Sequence, residues 1–195
     1  MKIIVASNNE HKIAEFKAYF ASLPVEIRSL NDENIDVNPD ETGKNFKENA
    51  FIKAQAISQF SKDIIVSDDS GLEIHALDNF PGIYSSRFLE GRPYQEKFTA
   101  INKMMEDKLD RSANFNCTLC VMNLEKEPIY FEGKTEGVIL ESALGKEGFG
   151  YDPIFFYPPF NKTFAELTQE EKNQVSHRGN ALKKFINYLK EKKYL

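Results

Sequence analysis

Ile64-Ile65-Val66-Ser67-Asp68-Asp69-Ser70-Gly71 is a short apolar run that closes on two adjacent carboxylates and a glycine. Its pattern predicts a buried strand that ends at the carboxylates and delivers charge to the rim of a sheet. Neighbouring negative charges repel, and burying them is costly without a cation or several hydrogen bonds, so Asp68 and Asp69 suit Mg²⁺ or a proton transfer. The octapeptide alone is equally compatible with an Asp-rich turn that caps the next segment.

The flanking segments favour an α/β chain. Lys2 to Ala6 reads as a central strand, followed by the polar loop Ser7-Asn8-Asn9-Glu10-His11-Lys12 and a helix with Ile13, Phe16 and Phe20 at helical spacing. Such a unit places its loop at the strand's carboxyl end, where helix N–H groups attract anions. Pro24 to Asp40 shows no clean alternation and turns acidic toward Asp40 and Glu41. From Asn45 a helix is expected, with Phe46, Ala50, Ala54 and Ile57 as its apolar stripe and Asn49 and Lys53 side by side along it.

Downstream, Leu72 to Leu77 alternates like a separate half-exposed strand, and Tyr94 to Leu109 reads as a helix. Strands are expected over Asn114–Leu124, Pro128–Lys134 and Thr135–Leu140. The glycines around Phe149 in Gly148-Phe149-Gly150-Tyr151-Asp152 allow close backbone approach and suit a ring that stacks on a flat heterocycle, although an aromatic turn anchored in the core fits equally. Thr168 and Glu171 have capping-box spacing ahead of Lys172. Ser176-His177-Arg178-Gly179 opens a last helix with Leu182, Phe185, Ile186 and Leu189 inward. His177 and Arg178 are donors at a helix start where the dipole does not call for positive charge. The whole predicts one domain over residues 1–195, a mixed sheet with flanking helices.

Composition narrows the function. A chain of 195 residues, 41% hydrophobic, buries a core without staples, and its two cysteines with no N-terminal apolar region point to the cytoplasm. A formal charge of −5 speaks against general nucleic-acid binding, and no apolar run is long enough for a membrane span. Cys117 and Cys120 lie three apart in an expected strand, so their side chains face oppositely and do not share a zinc.

Taken in order, these blocks resemble the inosine triphosphate pyrophosphatase family, also called Ham1-like. The match comprises Ser7-x-Asn9-x-x-Lys12, Glu41-Thr42-Gly43 with Glu48-Asn49-Ala50 before Lys53, Ser67 to Gly71, and Pro81-Gly82-Ile83-Tyr84-Ser85. It continues through Gly148 to Pro153, Lys162-Thr163 with Ala165-Glu166-Leu167, and Ser176 to Gly179. Ser7 stands where many members carry Thr, and Lys146-Glu147 precede Gly148 where a glycine-rich approach is common.

The resemblance implies an elongated two-lobed fold around a cleft and a homodimer. The implied reaction is Mg²⁺-dependent hydrolysis of inosine or xanthosine triphosphate, or the deoxy forms, to monophosphate and pyrophosphate. It implies Asp69 as general base with Lys53 beside it, and metal ligands among Glu41, Asp69, Asp68 and Asp40. Ser7, Asn9, Lys12, Lys53 and Lys172 would meet the triphosphate, Phe149, Asp152, His177 and Arg178 would meet the nucleoside, and Asn8, Ser70, Gly150 and Tyr151 would also contact the substrate. Two rivals remain: a phosphohydrolase that releases orthophosphate, and a nucleotide sensor without turnover.

Overall fold

In the computed structural model, which describes residues 1–195, strand β1 (Lys2–Val5) leads into a loop that caps helix α1 (Glu10–Phe20). Asn9 Oδ1 accepts from the Lys12 N–H at 3.1 Å, which satisfies one of the open donors of the first turn. Strand β2 (Glu26–Ser29) returns parallel to β1, with Ile27 opposite Ile3. The irregular sequence hid β2 because only Ile27 and Ser29 of its four residues are buried, too few to alternate visibly. Helix α2 (Phe46–Ser58) starts after Asn45, as its pattern predicts, and buries Ala50, Ala54 and Ile57.

Strand β3 (Ile64–Ile74) corrects the opening expectation. It pairs in parallel with β1 from Ile64 to Val66, but it does not stop at the carboxylates. Leu72 and Ile74, read as a separate strand with His75 to Leu77, continue β3, and His75–Leu77 is a 3₁₀ turn. Both apolar residues are fully buried, and Glu73 and Ile74 pair with β4 (Phe80–Pro81), so extension past Gly71 is repaid by burial and hydrogen bonds. Helix α3 (Tyr94–Met104) ends before Leu109, which is fully exposed. Strand β5 (Ser112–Met122) is followed by β6 (Ile129–Ile139), one strand where two were expected. The chain closes with β7 (Phe155–Tyr157), β8 (Lys162–Thr163), α4 (Gln169–Val175) and α5 (His177–Glu191). The eight strands form one mixed sheet in the order β2-β1-β3-β5-β6-β7-β8, with β4 on β3.

The chain divides into two compact units: Met1–Asp69 with Cys117–Gly133 and Arg178–Leu195, and Ser70–Asn116 with Lys134–His177. The first has two apolar clusters. Ile3, Val5, Val66, Phe16, Phe20 and Phe185 gather in one, and Ile4, Ile65, Ala50, Ala54 and Ile57 in the other, as strand alternation requires. Cys117 joins one cluster and Cys120 the other, both as free thiols, so the expectation of opposite faces holds. The second unit packs around Leu72, Ile74, Phe98, Phe155 and Phe164.

A buried charge network runs through the first unit. Arg178, 1% exposed, donates from Nε to Asp68 Oδ2 at 2.7 Å and from Nη1 to Glu15 Oε2 at 2.6 Å. Lys12 Nζ reaches Asp68 Oδ1 at 2.5 Å, and the Cys117 thiol donates to Asp68 Oδ2 at 3.2 Å. Burial pushes the Asp68 carboxyl up, but Arg178 and then Lys12 outweigh it and hold the group well below the usual carboxylate range.

Removing one member of such a network leaves a buried charge unmatched, so Arg178→Met is expected to cost about 3–5 kcal/mol in urea unfolding. Because the folded pKa of Asp68 lies below its unfolded value, its stabilisation is complete above that value and is lost as pH falls through the folded one. Asp68→Asn is therefore expected to flatten the loss of stability measured by urea titration from about pH 5 downward.

Candidate active site

Lys53 lies on α2, one turn beyond Asn49, and its ammonium joins two carboxylates. Nζ donates to Glu41 Oε1 and to Asp69 Oδ1, each at 2.8 Å. Glu41 belongs to the loop before α2, and Asn49 anchors that loop by accepting the Gly43 N–H through Oδ1 at 2.8 Å. A Cβ on Gly43 would stand 2.6 Å from that oxygen, so the close approach needs glycine. Asn49 is thus a residue whose role the sequence reading missed, although it stands in the matched block Glu48-Asn49-Ala50 and four residues before Lys53.

Burial raises the Asp69 carboxyl above its ordinary value, against the lowering effect of Lys53 and Lys12, with Glu41 adding to the rise. Burial lowers Lys53, but Asp69 and Glu41 outweigh it and keep the ammonium charged. Asp69 is therefore a better proton acceptor than a solvated aspartate.

The donor set fits a small divalent cation. Asp69 Oδ2 is buried and accepts no hydrogen bond from the protein, while Asp69 Oδ1 and Glu41 Oε1 already converge on one positive charge. No group of three or more His, Cys, Asp or Glu side chains forms a protein cage for a metal. One or two carboxylates, completed by water and substrate phosphates, is the usual environment of Mg²⁺. Asp68 stands apart from this pair, both its oxygens engaged by Arg178, Cys117 and Lys12, and Asp40 is exposed.

The other expected residues divide by position. Asn8 and Asn9 are exposed in the loop after β1, where Ser7 Oγ accepts the Asn9 N–H at 3.1 Å, and Lys12 is half-buried against Asp68. Ser70 follows Asp69 on β3. Arg178, read as a donor to a base, spends its guanidinium on Asp68 and Glu15, because two buried carboxylates are stronger acceptors than a neutral ring edge.

In the second unit, Asp152 organises the glycine loop. Its Oδ2 accepts from the Phe149 N–H at 2.8 Å and from Lys172 Nζ at 2.7 Å, and Lys172 lies 4.8 Å from the Phe149 ring centroid. Lys172, expected to meet phosphate, is 4% exposed and paired with Asp152 here. Tyr151 points inward, its hydroxyl donating to Ser85 O at 2.9 Å beside Tyr94, while Gly150 and Phe149 are half-buried. The His177 ring stacks on Phe115 at 4.7 Å.

Gly148 takes φ +74°, and a Cβ there would fall on the Asp152 carboxylate. Gly148→Ala is expected to cost more than about 1 kcal/mol in thermal unfolding and to speed proteolytic nicking of the loop.

The Ham1 family profile matches residues 3–188. A dITP/XTP pyrophosphatase of Clostridium perfringens is 44% identical over 97% of both chains. Among solved structures, the Ham1 protein of Staphylococcus aureus superposes with a TM-score of 0.89 at 35% identity, covering 98% of this chain and all of that one. A HAM1 protein from Coxiella burnetii gives 0.90 at 37% identity, over 98% of this chain and 99% of its own. With the profile spanning most of the chain and these relatives matching from end to end, the protein belongs to the Ham1 family.

Proposed function

We propose that the chain hydrolyses inosine and xanthosine triphosphates and their deoxy forms to the monophosphate and pyrophosphate, and so removes deaminated purines from the nucleotide pool. The observation that carries this reading is the Glu41–Lys53–Asp69 arrangement, in which a carboxylate whose pKa is raised by burial keeps one oxygen without a protein donor. Relatives that match over nearly the whole of both chains and are named dITP/XTP pyrophosphatases support the substrate class.

Triphosphate brings several negative charges to an acidic protein, so compensation is local. Lys12, Lys53, the Ser7 hydroxyl, Asn8, Asn9, Ser70 and the first N–H groups of α1 meet the phosphates. Glu41 and Asp69 would hold Mg²⁺, with Asp40 nearby in the chain. When bound, the ion lowers the pKa of water and offsets charge on the phosphates. Asp69 takes the proton of the attacking water, and Lys53 stabilises negative charge beside it. Asp68 serves at one remove, fixing Lys12.

Phe149 stacks on the purine, with Gly150 and Tyr151 shaping the loop and Asp152 and Lys172 tying it down. Stacking gives affinity to every base, so choice falls to hydrogen bonding. Donors from His177 and loop N–H groups reward the 6-oxo acceptor of hypoxanthine and leave the 6-amino group of adenine unmatched, which separates the two by up to about 10⁴. The guanine 2-amino group is refused as a donor with no acceptor opposite it, since xanthine carries an oxo group of similar size at the same position. The working form is a cytoplasmic homodimer acting on a free nucleotide, with residues 1–195 as one functional domain. A net charge of −5, and the lack of any helix long and apolar enough to cross a membrane, support a nucleotide over nucleic acid or lipid.

Turnover of ITP and XTP beside ATP and GTP with Mg²⁺, assaying pyrophosphate and orthophosphate separately, tests the reading. Pyrophosphate from ITP and XTP far above the others is expected, and chelation of the metal should abolish it. Orthophosphate as product, or tight binding without turnover, would replace the proposal with a phosphohydrolase or a sensor. Asp69→Asn is expected to lower kcat by at least about 10²-fold while triphosphate still binds. Phe149→Ala should weaken all purine triphosphates by about 1–3 kcal/mol in titration calorimetry.

A further inference from the structure

Glu15 is not among the expected site residues, yet it stands in a chain of alternating charges that reaches Lys12. It projects from α1, three residues after Lys12 on the same helix, and is 6% exposed. Glu15 Oε2 accepts from Arg178 Nη1 at 2.6 Å, and Arg178 Nε donates to Asp68 Oδ2 at 2.7 Å. Asp68 Oδ1 in turn accepts from Lys12 Nζ at 2.5 Å. Arg178 and Asp68 have 1% and 0% side-chain exposure, whereas Lys12 keeps 15%.

Charge balance decides what Glu15 does. The quartet carries two positive and two negative side chains. Without the Glu15 charge, Asp68 would be left hydrogen-bonded to two cations in a medium where excess charge is costly. Arg178 is enclosed and has no exit, so the strain is relieved where solvent is nearest, by release of the Lys12 ammonium into water. We propose that Glu15 is a positioning residue for substrate phosphate: by neutralising Arg178 it reserves the charge of Asp68 for Lys12 and holds that ammonium in place. The inference rests on the triphosphate reading of the site and identifies the residue that tunes its affinity.

The test is a double-mutant cycle of Glu15→Gln and Lys12→Ala, read as KM and kcat for ITP and as calorimetric Kd for ITP with Ca²⁺ in place of Mg²⁺, alongside melting temperature. The wild-type chain is assayed first; absence of pyrophosphate release there would sink the functional reading, while the Kd cycle would still judge Glu15. Glu15→Gln is expected to raise KM and Kd about tenfold, the scale of one charge-assisted hydrogen bond, with a smaller change in kcat. In the Lys12→Ala background the same substitution should change affinity by less than about twofold, because its effect passes through Lys12. Equal losses in both backgrounds, or a lower melting temperature with unchanged affinity, would reduce Glu15 to a core ion-pair partner and overturn the proposal. Should Glu15→Gln fail to fold, Glu15→Asp, which keeps the charge but withdraws it by one methylene, goes through the same cycle with the same criteria.

Discussion

Two consecutive aspartates buried in the middle of a strand are the constraint around which the first unit is organised. Successive strand residues face oppositely, so Asp68 and Asp69 need separate sources of positive charge. Asp68 takes Arg178 from the start of α5 and Lys12 from α1, and Asp69 takes Lys53 from α2. Three helices are thereby tied to one strand, and their apolar faces close over the same sheet. Ser67 adds a further link through its hydroxyl, which donates to the Ala50 carbonyl of α2.

The two carboxylates differ in chemistry because their neighbours differ. Asp68 is overmatched by cations and stays ionised, which suits a fixed counter-ion. Asp69 shares one lysine with Glu41 and is raised by burial, which suits a group that accepts a proton. The division of labour follows from the faces of β3, since the residues themselves are identical.

In the second unit, one carboxylate again does two tasks. Asp152 holds the Phe149 backbone and the Lys172 ammonium, so the aromatic loop is organised by a buried ion pair and a glycine with positive φ. The Phe149 backbone is thereby fixed by the same carboxylate that pairs with Lys172. Lys172 is consequently part of the scaffold of that loop, and its charge is already matched before any ligand arrives.

Elements whose signals are local were legible in the chain. The start of α2 after Asn45, the Thr168–Glu171 capping box, the stripe of α2 and the opposed cysteines are all decided within a few residues, and motif order was enough to reach the family. Tertiary structure alone decided where β3 ends, because Leu72 and Ile74 extend it only when a second core is there to bury them. It also decided that Arg178 turns inward to Asp68 and Glu15, and that Lys172 serves Asp152. Those partners lie 110, 163 and 20 residues away in the chain, and the energy of a buried charge depends on which opposite charges the fold brings beside it.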